Sequence, residues 1–169
     1  MKKEKLRNKK GFTLIELLVV MSIIGVLAAL AVGSFRNAQV RGRDAQRKSD
    51  LKQIAHSLEL FYADYGRYPD SVSGQIAGCP YDPSQSTGTA CAWGAGQFSD
   101  GKTVYFKTMP TDPVANNDSY EYRIVPNSSN QKFQLFAKLE NPEDQDCIDG
   151  NCEQNPNFGV TSTNTDVYE

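Results

Sequence analysis

The sequence predicts an α+β fold, in which one long N-terminal helix packs on a small antiparallel sheet. Three observations predict it. Residues 12–35 form a 24-residue run with a single charge, Glu16. Beyond that run, Leu51, Ile54, Leu58, Phe61 and Tyr65 recur at spacings of 3, 4, 3 and 4, which is one face of a helix. Further on, three short β-branched and aromatic runs are separated by turn-rich segments, as antiparallel strands are. The chain of 169 residues has the length of one domain, given a prior of roughly 100–200 residues.

Charge is distributed unevenly. Residues 1–11, MKKEKLRNKKG, hold six basic side chains and one acidic, a net of +5. Taking that +5 from the total of −2 leaves −7 on the remaining 158 residues. An acidic bulk argues against binding nucleic acid, which requires a basic face, so no nucleic acid partner is expected. One His and four Cys leave little material for metalloenzyme or imidazole acid–base chemistry. No nucleophile–base spacing, phosphate loop or metal box is visible, and no enzymatic activity is expected.

Residues 12–35 would span roughly 36 Å as a helix, enough for a hydrocarbon core of about 30 Å. Basic residues before the run put the N-terminus in the cytoplasm by the positive-inside rule, and the rest of the chain outside. A plain signal anchor, or a secretory signal cut near Ala29-Leu30-Ala31, accounts for the run but not for Glu16. A carboxylate in such a helix costs on the order of 2–3 kcal/mol and asks for a partner. No cation lies within the span on the same chain. A new N-terminus at Phe12, freed by cleavage after Gly11, supplies one: an α-amino group with a pKa of about 7.7–8.0, one helical turn from Glu16. Two such helices side by side pair the amine of one with Glu16 of the next, so that burying the charge depends on assembly.

The segment Lys9-Lys10-Gly11-Phe12-Thr13-Leu14-Ile15-Glu16 resembles the type IV prepilin leader and cleavage motif, shared by type IV pilins and the pseudopilins of type II secretion. The resemblance implies that Gly11 ends the leader, that a prepilin peptidase cuts there and methylates Phe12, and that Glu16 is the assembly carboxylate. It further implies a pilin-like fold and a structural filament subunit, located first in the cytoplasmic membrane and then in an extracytoplasmic filament. The implied partners are the prepilin peptidase, the protein itself and other pilins or pseudopilins, an assembly ATPase and a platform protein. Many members carry a Pro late in this helix, where Val32-Gly33-Ser34 stands here; Gly25 and Gly33 supply some bendability. The alternative is a membrane-tethered binding head, an adhesin or minor pilin, which predicts that Glu16 is dispensable. The expected organisation is a leader over 1–11, a membrane and filament-core helix over 12–35, an amphipathic continuation over 36–66, and a head over 67–169.

No Pro interrupts residues 12–65, which predicts one helix about 80 Å long. Gly66 and Pro69 end it. Arg36, Arg41, Arg43, Arg47 and Lys48 follow the apolar run, suited to anionic lipid headgroups, to acidic heads of neighbouring subunits, or simply to solvent. His56 falls off the apolar face and is expected exposed. Residues 73–101 hold six Gly with Pro80 and Pro83, too long an irregular stretch for a mere connection. Its Tyr81, Trp93 and Phe98 fit either ligand contact or local core. Strands are expected at 103–107, 120–125 and 132–139, and the polar tail from 141 to 169 is expected to run irregularly over the sheet. The stretch Met109-Pro110-Thr111-Asp112-Pro113 before Tyr120-Glu121-Tyr122 is similar to the segment preceding the sheet in major pseudopilins.

In an oxidising compartment the cysteines should pair. Four allow three connectivities; proximity favours Cys79–Cys91 and Cys147–Cys152. Their spacings suit zinc poorly. Asp144, Asp146 and Asp149, with Gly150 and Glu153, make a dense acidic loop of the oxygen donors that calcium takes. The resemblance to major pseudopilins implies a calcium site there; the competing expectation is a solvated acidic loop.

Overall fold

A computed structural model describes residues 11–84, 88–114, 120–163 and 165–167, without the side chains of residues 31 and 32. Residues 1–10 of the leader lie outside the described residues. The chain divides into two compact units, Met1–Gln39 and Val40–Glu169. Helix α1, Leu14–Tyr65, supplies the regular structure of the first unit and the first element of the second.

In the first unit α1 is apolar on every side from Leu17 to Leu30, after the single charge of Glu16. Every Leu, Ile, Val and Met from Leu14 to Leu30 is exposed, the least exposed being Val19 at 47 %. A helix with this pattern is long and apolar enough to cross a membrane.

In the second unit, the head, α1 is amphipathic. Leu51, Ile54, Leu58 and Phe61 are fully buried, and Tyr65 packs partly buried against them. Gly66 closes the helix in the left-handed region at φ 68°, where L side chains are strained, and donates its N–H to Tyr62 O at 2.7 Å. The polar flank of α1 is docked as well. Asp50, Glu59 and Asp64 accept hydrogen bonds from the hydroxyls of Tyr120, Tyr68 and Tyr105 at 2.8, 2.9 and 2.7 Å. His56 is exposed.

Among the described residues seven short strands complete the head: β1 Ser71–Val72, β2 Gln75–Ile76, β3 Phe98–Ser99, β4 Val104–Phe106, β5 Glu121–Ile124, β6 Phe133–Ala137 and β7 Phe158–Thr161. The main sheet is antiparallel in the order β5-β6-β7, with Tyr122 opposite Leu135 and Leu135 opposite Val160. Two expectations are corrected. The strand near 103–107 does not join this sheet but pairs with β3 in a separate hairpin. The third strand comes instead from the tail, as β7, so the tail is not irregular throughout. The central strand β6 is buried on both faces, which fits its position between two partners.

The long loop is stapled rather than free. Cys79 bonds Cys91, and Cys79 N–H and Cys91 N–H donate to Thr89 O and Ile76 O at 3.0 and 2.7 Å. A Cβ at Gly78 would lie 2.5 Å from the Phe98 ring, so only glycine lets the loop approach this closely. Tyr81 and Phe98 are core residues and Trp93 packs against the core. Phe61 is their hub, with Tyr81, Phe98 and Tyr105 at centroid distances of 4.7, 5.2 and 5.2 Å, in the range of favourable ring pairs. The loop aromatics are therefore local core.

Candidate functional site

The N-terminal end of α1 carries the first candidate. Thr13 precedes the first helical residue and Glu16 sits three positions on, the spacing of a capping box. Glu16 N–H donates to Thr13 Oγ1 at 3.3 Å. Glu16 Oε2 accepts the Thr13 N–H at 2.9 Å and the Thr13 hydroxyl at 2.8 Å. The carboxylate thus satisfies one of the orphan N–H groups of its own helix start, and it lies at the helix end whose dipole favours negative charge. Gly11 and Phe12 lie just before it, outside the helix and exposed.

The basic cluster behind the apolar run is the second candidate. The side chains of Arg43, Arg47 and Lys48 turn to carboxylates of their own head, not to solvent. Arg47, 3 % exposed, grips Asp112 with both arms of its guanidinium, Nε at 2.6 Å and Nη2 at 2.8 Å. Its Nη1 meets Asp44 Oδ1 and Glu140 Oε1, both at 2.7 Å. Burial alone would lower the Arg47 pKa; its bonds to Asp112, Glu140 and Asp44 hold it above the ordinary value instead. Arg43 pairs with Glu140 through Nη2 and, at 2.8 Å, through Nε. Asp44 also accepts the N–H groups of Glu140 and Asn141 at 2.9 and 2.8 Å. The segment that follows β6 is therefore bound to α1 by charge-assisted hydrogen bonds. Sequence reasoning identified the arginines but missed Asp44, Asp112 and Glu140. Only the four-residue spacing of Asp44 and Lys48, or of Arg43 and Arg47, could have hinted at a structured face.

Glu140 titrates accordingly. The Arg43 hydrogen bond, aided by Arg47 against the effect of burial, holds its pKa down from 4.5 to about 2. A depressed carboxylate contributes stability that is complete above its unfolded pKa and is lost as pH falls through the folded one. The head should therefore weaken between about pH 4.5 and about pH 2. Glu140→Gln should be less stable near neutrality and flatter across that window. Urea midpoints measured along the pH series check this; parallel wild-type and variant curves would refute it.

The acidic loop is the third candidate. Cys147 bonds Cys152, with a single 3-10 turn, Ile148–Gly150, between them. Lys48 Nζ lies 2.6 Å from Asp144 Oδ1 and 2.7 Å from Asp146 Oδ2, while Asp149 is exposed on the turn at φ 55°. Among the described residues no three His, Cys, Asp or Glu side chains converge as a metal site. Calcium takes six to eight oxygens; here an ammonium contacts both carboxylates.

Three features thus meet in one chain: a membrane-length apolar helix, an N-terminal carboxylate held by Thr13, and a head locked onto the second half of the same helix. Residues 6–32 match the model of the prokaryotic N-terminal methylation motif. The chain is 31% identical over 133 residues to type II secretion system core protein G of Pseudomonas aeruginosa, covering 78% of this chain and 83% of that protein. It is 31% identical over 115 residues to the type IV wide pilus major component PilA4 of Thermus thermophilus, covering 64% and 88%. The chain belongs to the family of type IV pilins and type II secretion pseudopilins. The type IV major pilin protein PilA of Myxococcus xanthus shares 41% identity over 63 residues, 37% of this chain and only 29% of that longer pilin. No solved structure matches.

Proposed function

We propose that the protein is a structural subunit of a type IV filament system, a pilin or secretion pseudopilin, and not an enzyme. Its partners are further copies of itself and related pilins. A prepilin peptidase cuts after Gly11 and methylates Phe12. The chain rests in the cytoplasmic membrane with its N-terminus inside, and an assembly ATPase and a platform protein draw it out into the filament. There the apolar half of α1 lines the fibre core and Glu16 meets the α-amino group of a neighbouring Phe12. The observation that supports this most is a carboxylate at the start of an otherwise uncharged apolar run whose large side chains from Leu14 to Leu30 are all exposed. A tethered binding head leaves Glu16 only its cap at Thr13, and the loop aromatics it would use for ligands are committed to the core.

The test is intact mass with N-terminal sequencing of the protein taken from its native membrane. The expected chain begins at Phe12, is one methyl group heavier than the bare sequence, and is lighter by two hydrogens per disulfide. A chain that begins at Met1 makes it a plain anchored head. A start near residue 32 makes it an ordinary secreted protein.

A further inference from the structure

Lys48 meets the C-terminal loop in a way that a solvated side chain does not. Its ammonium has carboxylate oxygens of Asp144 and Asp146 at 2.6 and 2.7 Å, and it stands 5.7 Å from the centroid of the Phe158 ring on β7. The Lys48 and Asp144 side chains are 19 % and 15 % exposed, so both charges are largely withdrawn from water. Asp144 is itself preset, because its Oδ1 also accepts the Asp146 N–H at 3.0 Å. The loop is closed beyond this point by the Cys147–Cys152 bond and tied to the sheet side by Ile148 N–H to Asn157 O at 2.8 Å and Asn157 Nδ2 to Cys152 O at 2.8 Å.

We infer that Lys48 is the resident cation of this loop, a covalently supplied positive charge that closes the acidic C-terminal segment onto α1 without a metal ion. The chemistry of the surroundings favours an ammonium over a divalent ion. A hard cation such as calcium requires oxygen ligands all round, whereas here the ammonium also stands over the Phe158 ring face, which attracts an ammonium through its quadrupole. Three donors on Nζ and a flexible stem let one lysine serve both carboxylates at once. Burial pulls the Lys48 pKa down, but the bonds to Asp144 and Asp146 outweigh it and leave it raised. Asp144 is lowered against burial by the same lysine and the Asp146 N–H. Both groups thus keep their charge from mildly acid to alkaline conditions, and the closure is present throughout that range.

The experiment uses the full chain in detergent micelles, with near-ultraviolet circular dichroism following thermal unfolding of the head. In the wild type, millimolar calcium and a chelator should give the same midpoint. Lys48→Met should lower the midpoint by several degrees, and Lys48→Arg should recover part of that. Adding Asp144→Asn and Asp146→Asn to Lys48→Met should raise the midpoint again, because two uncompensated carboxylates are then removed. The recovery distinguishes a charge role from a packing role, which the asparagines would not repair. A wild-type midpoint that rises with calcium overturns the inference, as does a Lys48→Met protein that melts with the wild type. If Lys48→Met fails to fold, the triple variant alone decides: a folded triple variant supports the inference and an unfolded one refutes it.

Discussion

Arg47→Met is expected to destabilise the head by about 3–5 kcal/mol, the scale for removing one partner of a buried charge group. Methionine keeps much of the stem's packing, so the loss isolates the guanidinium. Without it Asp44, 1 % exposed, and Asp112, 8 % exposed, remain buried and lose the guanidinium that is bonded to both. Their other bonds do not compensate. Asp44 keeps the Glu140 and Asn141 N–H groups and Asp112 keeps the Val114 N–H at 2.8 Å, but none of these carries a full positive charge. Arg47→Lys should recover only part of the loss, because an ammonium cannot reproduce the two-armed grip on Asp112. Arg47→Met combined with Asp112→Asn should be milder than Arg47→Met alone, since the most poorly compensated carboxylate is gone. Urea unfolding followed by the near-ultraviolet signal measures all three. A loss below about 1 kcal/mol, typical of an exposed ion pair, would mean that the network is peripheral to the fold.

That network also marks the limit of what the sequence discloses. The helix was legible from Leu51 to Tyr65 because burial along a helix repeats with its own period, and five apolar positions in register leave few alternatives. Gly66 and Pro69 were legible as an ending for equally local reasons. Strand β7 was not. Phe158–Thr161 is four residues long, lies in a polar tail and shows no alternation long enough to register; it is a strand because β6 offers it an edge. Strand β4 lies inside the expected 103–107, but its partner β3 was missed, since a two-residue strand has no period at all. At the candidate sites, Glu16 stood out because a charge in an apolar run is anomalous by itself. Asp112 did not, because an aspartate between two prolines reads as a turn, and only the tertiary approach of Arg47 makes it a buried ion. The basic cluster shows the same asymmetry: its residues were visible, but whether they face lipid, a neighbour or their own head depends on partners 65 to 98 positions away in the chain.

Glu16→Val is expected to abolish filaments while leaving the subunit processed and in the membrane. Valine removes the one charge from the apolar run, so insertion becomes more favourable by on the order of 2–3 kcal/mol, and a variant that failed merely by misplacement is not expected. The carboxylate's half of the capping box is lost as well, while the bond from the residue-16 N–H to Thr13 Oγ1 remains. The loss costs a helix end at most about 1 kcal/mol, too little to unfold a helix of 52 residues held in a bilayer. What disappears is the group that a neighbour's α-amino charge would seek. In the resting subunit the carboxylate is occupied by Thr13, an internal arrangement that lowers the cost of keeping it in the membrane. In the proposed assembly those neutral donors are exchanged for a cationic one, and charge-assisted hydrogen bonds are about twice as strong as neutral ones. Glu16→Gln separates the two functions, because a glutamine oxygen still accepts from Thr13 but carries no charge. Both variants should therefore yield no sheared filaments, with normal amounts of mature, methylated subunit in the membrane fraction. Filaments from Glu16→Gln with none from Glu16→Val would assign the residue to helix capping alone, and filaments from both would leave the carboxylate without a part in assembly.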